Sequence, residues 1–180
     1  MRAFVSKVVS TPKNTIPKDR ITDSAAEVLE IGTKIQKHIN RLFKGSLAIR
    51  EVDAGSDNAV EQELVALSNQ FYDVERFGIH FVASPRHADM LMVTGPVARN
   101  MAEALRRAYD ATPDPKIVVA VGDDAIDGGI FRGSYAVLDG VEDVIPVHYK
   151  IPGNPPSPKT ILLALLQILD DAGKSSGKGR

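Results

Sequence analysis

Apolar residues recur along this chain in two rhythms. Over residues 24–43, Val28, Ile31, Ile35, Ile39 and Leu42 stand three or four apart, the spacing that lines one face of an α-helix. Asp23 or Ser24 is placed to cap that helix. Lys34, Lys37, Arg41 and Lys44 flank the stripe toward its C-terminal end, where they suit the helix dipole. From residue 46 the runs become shorter. Residues 46–52 read as a strand, and 58–70 as a helix with Val60, Leu64 and Leu67 on one face. Residues 79–83 and 90–94 are apolar runs of strand length, and Pro96 suits the first turn of a helix reaching about residue 110. The β-branched run KIVVAVG at 116–122 fits a parallel strand buried on both faces. Residues 144–147 read as one more short strand, and 157–170 as the last helix. Strands alternating with helices predict an α/β sandwich with a mainly parallel sheet.

Three parts follow from this pattern: an N-terminal arm and amphipathic basic helix (1–45), an α/β domain (46–170) and a flexible tail (171–180). The whole chain, 180 residues with 43% apolar and 25% charged side chains, is of single-domain size and ordinary globular composition. It holds no cysteine, which excludes a disulfide framework, a thiolate metal site and a cysteine nucleophile. The apolar run at 161–169 has about half the length a membrane span needs. The first residues lack the long apolar core of a secretory signal. Together these predict a soluble or peripheral protein made in the cytosol.

The net charge of −1 divides unevenly: +5 over residues 1–45, −8 over 46–170 and +2 over 171–180. An acidic body without a basic stripe argues against nucleic acid as a partner. Basic ends suit docking to acidic partners or to an anionic membrane surface, and equally suit solvated tails. The helix over 24–43 has the same two readings, a face for a membrane or partner and a face packed on its own domain.

Ligands of open parallel sheets bind beyond the carboxyl ends of the strands. Three loops rich in turn-forming residues follow strands here: DAGSDNAVE at 53–61, GDDAIDGG at 122–129 and PGNPPSP at 152–158. Other candidate chemistry is thinner. DAIDGG at 124–129 lacks the spacing and closing Glu of an EF-hand. No dinucleotide or phosphate-loop signature is present, and Ser46, Ser56 and Ser84 sit in no nucleophile elbow. His80 and His87 read as structural, and Arg99, Arg106 and Arg107 as a solvated or partner-facing helix surface.

The segments REVDAGSDNAVE, FGIHFVASPRHADMLMVTGPVARNM, PDPKIVVAVGDDAIDGG and VIPVHYKIPGNPPSPKTIL occur in this order over residues 46–170. In them the chain resembles the small, 20-kDa-type subunit of respiratory complex I and of membrane-bound, energy-converting nickel–iron hydrogenases, with phrases nearer the hydrogenase and formate-hydrogenlyase branch. The resemblance implies a flavodoxin-like three-layer sandwich and one [4Fe–4S] cluster, held by thiolates from a CxxC-E, a GDC-type and a PGCPP loop. The matching positions are Asp57, Val60, Asp124 and Asn154. Each lacks sulfur, whereas Gly55, Ser56, Asn58, Glu61, Gly122, Asp123, Pro152, Gly153, Pro155 and Pro156 around them are retained.

Iron–sulfur clusters are held chiefly by thiolates. A cluster-less homologue is therefore expected, with no cofactor at these four positions. The vacated pocket has three readings: a polar plug with carboxylates bonded to loop amides and to Arg50 or Arg86, an oxygen-ligated cation site at Asp57, Asp124, Asn154 and Glu61, or a partner-binding surface. The resemblance further implies a large hydrogenase-like subunit and membrane subunits as partners. It places the chain peripherally on the cytoplasmic side of the membrane, with Lys34, Lys37, Arg41 and Lys44 as its interface. Three functional classes follow: a non-catalytic assembly subunit, a subunit of a working oxidoreductase engaged in electron transfer or ion translocation, and a free-standing binding module.

Overall fold

The computed structural model describes residues 24–177; the arm expected over 1–21 lies outside them. Helix α1 (Ala25–Leu42) starts at Ser24, whose hydroxyl accepts the Glu27 N–H at 3.1 Å, an N-cap bond that satisfies one otherwise orphaned amide. Strand β1 (Leu47–Asp53) and helix α2 (Ala59–Ala66) follow. Next come β2 (Ile79–Phe81), β3 (Met90–Thr94), α3 (Ala102–Ala111), β4 (Ile117–Val121), the short α4 (Asp123–Asp127), β5 (Tyr149–Ile151) and α5 (Pro158–Gly177).

The strands form one parallel sheet in the order β2-β1-β3-β4-β5, the doubly wound order of flavodoxin-like folds. Side chains of a strand point alternately to its two faces. Met90, Met92, Val119 and Val121 accordingly join α1, α2 and α5 in one buried cluster. Leu91, Val93, Val118 and Ala120 join α3 and α4 in the other. All of β3 is buried, as its unbroken apolar run requires. The sheet thus sits between two helical layers, and its strands all end on one edge.

The stripe of α1 belongs to this core. Val28, Ile35 and Ile39 are fully buried in the cluster that holds Leu165, Ile168 and Leu169 of α5, and Ile31 packs against that cluster. Of the two readings open for this helix, packing on its own domain holds for the stripe.

Some boundaries differ from the pattern. The helix expected over 58–70 stops at Ala66, because the Asn69 side chain accepts the Phe71 and Tyr72 N–H groups and turns the chain. The helix expected at Pro96 begins at Ala102: the Val97 and Arg99 amides donate to Asp139 and Ala136 carbonyls instead. No strand forms over 144–147. Ile145 donates back to Val141 in a turn, and sheet pairing resumes only when the His148 N–H donates to the Val118 carbonyl. The last helix continues past residue 170 to Gly177, into the stretch read as tail.

Candidate functional site

Because every strand is parallel, the loops after β1, β3, β4 and β5 emerge on the same edge. Asp53 organises the first: its Oδ1 accepts the Gly55 and Ser56 amides at 2.7 and 2.8 Å. The loop after β3, residues 95–101, lies directly beneath it. Gly95, at φ +72°, presses against the Ser56 backbone, and a Cβ at Gly55 would stand 2.8 Å from the Ala98 methyl. Backbone bonds from Ala54 N–H to the Thr94 carbonyl and from Ala98 N–H to the Ala54 carbonyl fasten the two loops. This fourth loop carried no separate signal, since Pro96 read as a helix start. The loops after β4 and β5 are locked likewise: Asp123 N–H donates to the Gly153 carbonyl, and Gly153 N–H returns a bond to Asp123 Oδ1 at 2.8 Å.

Of the four positions singled out, two are buried and two exposed. Val60 is 5% exposed, and a Cβ on Gly122 would come within 2.8 Å of its Cγ2. Asp57 is exposed and accepts the Ala59 N–H at 2.9 Å. Asn154 is exposed. Asp124 is 7% exposed and lies against the backbone of Gly129, with Oδ1 unpartnered. Its carboxyl is pushed above the usual aspartate range, by burial first and then by the nearby charge of Asp57. The nearby Ile130 N–H opposes that shift, and Asp123 and Asp127 add smaller repulsions.

Glu61 is 8% exposed, and neither of its oxygens has a hydrogen-bond partner. The neighbouring Glu51 carboxyl is raised by burial and by the charge of Glu61, with Arg50 opposing. Thr94 Oγ1 at the end of β3 is also buried without a partner. Of the plug, an amide bond is present at Asp57; at Asp124 the Oδ1 is left without one. Among the described residues, neither Arg50 nor Arg86 forms an ion pair or side-chain hydrogen bond with either aspartate. Arg86 instead lines a cavity near Lys44 and Pro113. Also among the described residues, no three His, Asp or Glu side chains stand close enough to share a metal ion.

The basic residues in and just after α1 divide. Lys34 pairs with Glu30 at 2.7 Å, and Arg41 lies between His38 and Gly173 of α5. Lys37 and Lys44 are exposed.

The model of the NADH ubiquinone oxidoreductase 20 kDa subunit family matches residues 58–168, which include α2, the sheet from β2 onward and three of these four loops' strand ends. The chain belongs to that family. A probable membrane-bound hydrogenase subunit, mbhJ, of Pyrococcus furiosus is 39% identical over 144 residues, 78% of this chain and 86% of the relative. An uncharacterized protein of Methanocaldococcus jannaschii is 46% identical over 129 residues, 72% and 86% of the two chains. Among solved structures, a chain of an archaeal respiratory membrane complex, the membrane-bound sulfane sulfur reductase, superposes with a TM-score of 0.64 at 32% identity, covering 73% of each chain.

Measured against the cluster that the family resemblance implies, this member's residues do not fit. Val60 offers only hydrocarbon, Asn154 an amide, and the two aspartates hard oxygens, that of Asp57 already bonded to the Ala59 amide, where a cubane takes thiolates.

Proposed function

We propose that the chain is a cluster-less structural and assembly subunit of a membrane-associated complex related to complex I and the energy-converting hydrogenases. In that complex it links a large hydrogenase-like subunit to membrane subunits, peripherally and on the cytoplasmic side. The observation that carries this reading is the edge itself: four loops remain fastened as a rigid surface around Asp57, Val60, Asp124 and Asn154, none of which bears sulfur. A surface that persists without ligating residues is suited to binding another protein. Relatives named as subunits of membrane-bound hydrogenase and respiratory complexes support the same partners. Among the described residues no helix is long and apolar enough to cross a membrane, in keeping with a peripheral place.

Anaerobic co-expression with homologues of the large and membrane subunits tests this reading. Co-purification of all partners with iron and acid-labile sulfide far below stoichiometry on this chain is expected. Sulfide near about four per chain, the content of one cubane, overturns the cluster-less assignment, and failure to bind the large subunit overturns the assembly role.

A further inference from the structure

Strand β2 is short beside its neighbour, three residues against the seven of β1, and that mismatch leaves a cavity. The last bond between the two runs from the Val82 N–H to the Ile49 carbonyl. Beyond it the chain turns away, and a space of about 310 Å³ opens beside β1 and α2. Leu64, Val65, Phe81 and Val82 give it hydrocarbon walls, and Glu51 lines it as well. Leu47, Ile49 and Glu51 alternate onto one face of β1, the face whose first two residues are buried in the cluster that holds Leu64 of α2. Glu61 lies three residues before Leu64 and four before Val65, on the same side of α2. It is 8% exposed, and neither of its carboxylate oxygens has a partner. The Glu51 carboxyl is raised by burial first and then by the charge of Glu61. Arg50 borders the cavity from the other face of β1, and among the described residues it pairs with neither glutamate. Two carboxylates therefore stand at this cavity without a counter-charge.

We propose that this cavity binds a small aliphatic amine, whose ammonium group sits between Glu51 and Glu61 while its alkyl stem lies along Leu64, Val65 and Phe81. The site goes beyond the assembly role and does not depend on it. A buried, ionised carboxylate without a partner is unfavourable. An ammonium brings three donors and no acceptor, and its bonds to carboxylates are charge-assisted. Other ligand classes leave Glu61 no better off. An anion is repelled by both glutamates, and a neutral hydrocarbon leaves the orphaned oxygens unpaired. A metal ion needs a larger ligand set than is gathered: among the described residues no three His, Asp or Glu side chains could hold one. The volume lies at the lower end of small-molecule sites, about 300–1,000 Å³, and so suits a stem of a few carbons. Val65, 62% exposed, marks the mouth.

The test titrates the full chain with n-butylammonium, followed by methyl NMR of Leu64 and Val65 and by the thermal midpoint, which a ligand of the folded state raises. 1-Butanol supplies the same stem without the charge, and potassium the charge without the stem. Saturable binding of the amine is expected at millimolar concentration, at least about tenfold tighter than that of 1-butanol or potassium. Glu61→Gln removes the orphaned charge at nearly constant shape. It and Glu51→Gln are each expected to raise the Kd at least about tenfold. Glu63→Gln, on the same helix but outside the cavity walls, should stay within about twofold. Wild type without a saturable response overturns the proposal, as does a Glu61→Gln chain that folds and binds like wild type. Equal binding of 1-butanol makes the cavity merely apolar, and equal binding of potassium makes it a simple cation site; either result overturns it. An equal loss in Glu63→Gln reassigns the effect to overall acidic charge and overturns it too.

Discussion

The side chain of Val60 occupies the space beside Gly122, so closely that a methyl group on that glycine would meet Val60 Cγ2 at 2.8 Å. One residue stands where the resemblance implies a cluster ligand, and the other opens the loop that carries a second such position. Hydrocarbon now bridges the two loops. Gly122 also has φ +90°, a region costly for any residue with a Cβ. Gly122→Ala is expected to destabilise the fold by about 2–3 kcal/mol, and Val60→Ala by about 1–2 kcal/mol through lost burial. In a urea-denaturation cycle the double variant should cost less than the sum, because the smaller side chain makes room for the new methyl. Strict additivity would deny the contact.

Glu61 and Glu51 set a second expectation. An unpartnered buried carboxylate is unfavourable, and Glu61 raises its neighbour Glu51. Glu61→Gln should therefore stabilise the protein at neutral pH by about 1 kcal/mol or more and return the Glu51 titration toward ordinary values, followed by carboxyl NMR. A drop in stability would mean that the carboxylate has a partner which glutamine cannot satisfy.

For Asp124 the pH dependence has a definite sign. Its folded-state pKa lies above the ordinary value of 3.8, so between those two values the folded chain binds more protons than the unfolded one. Its charge then costs stability at neutral pH, and that cost is relieved as pH falls through the folded pKa and is gone below the unfolded one. Relative to Asp124→Asn, wild type should gain stability on acidification from neutral pH toward about pH 4, seen as a converging pair of denaturation midpoints. Parallel midpoints would refute the raised carboxyl.

Helix α1 separates packing from charge. Ile35 and Ile39 are fully buried, so changing either to Ala should cost about 2–4 kcal/mol in the isolated chain. Lys37→Gln and Lys44→Gln, on exposed positions, should stay within about 0.5 kcal/mol. Equal losses in thermal denaturation would contradict the burial of the stripe.

The sequence disclosed the sheet well because parallel strands buried on both faces leave unbroken apolar runs: residues 90–94 read as a strand and form one. It disclosed the ligand-like loops because Gly, Asp and Pro mark sharp turns. It did not disclose the 95–101 loop, since Pro96 serves a helix start and a loop equally well, and only the approach of Gly95 to Ser56 decides between them. The strand expected over 144–147 failed for a related reason. Val144, Ile145 and Val147 are apolar because they pack on the α3–α4 face, in turns rather than in the sheet. The exposure of Ile130 and Tyr135 was illegible because it is a tertiary property; in sequence they look like any two apolar residues.

The pairing of α1 with α5 also governs how the chain is made. The stripe of Val28, Ile35 and Ile39 leaves the ribosome more than a hundred residues before Leu165 and Ile168, the side chains that share its core. At roughly 5–20 residues per second, that oily face waits several seconds for its α5 partners. The sheet side chains Leu47, Ile49, Ile79 and Met90 of the same core arrive earlier, and the cluster closes fully only when the last helix is made.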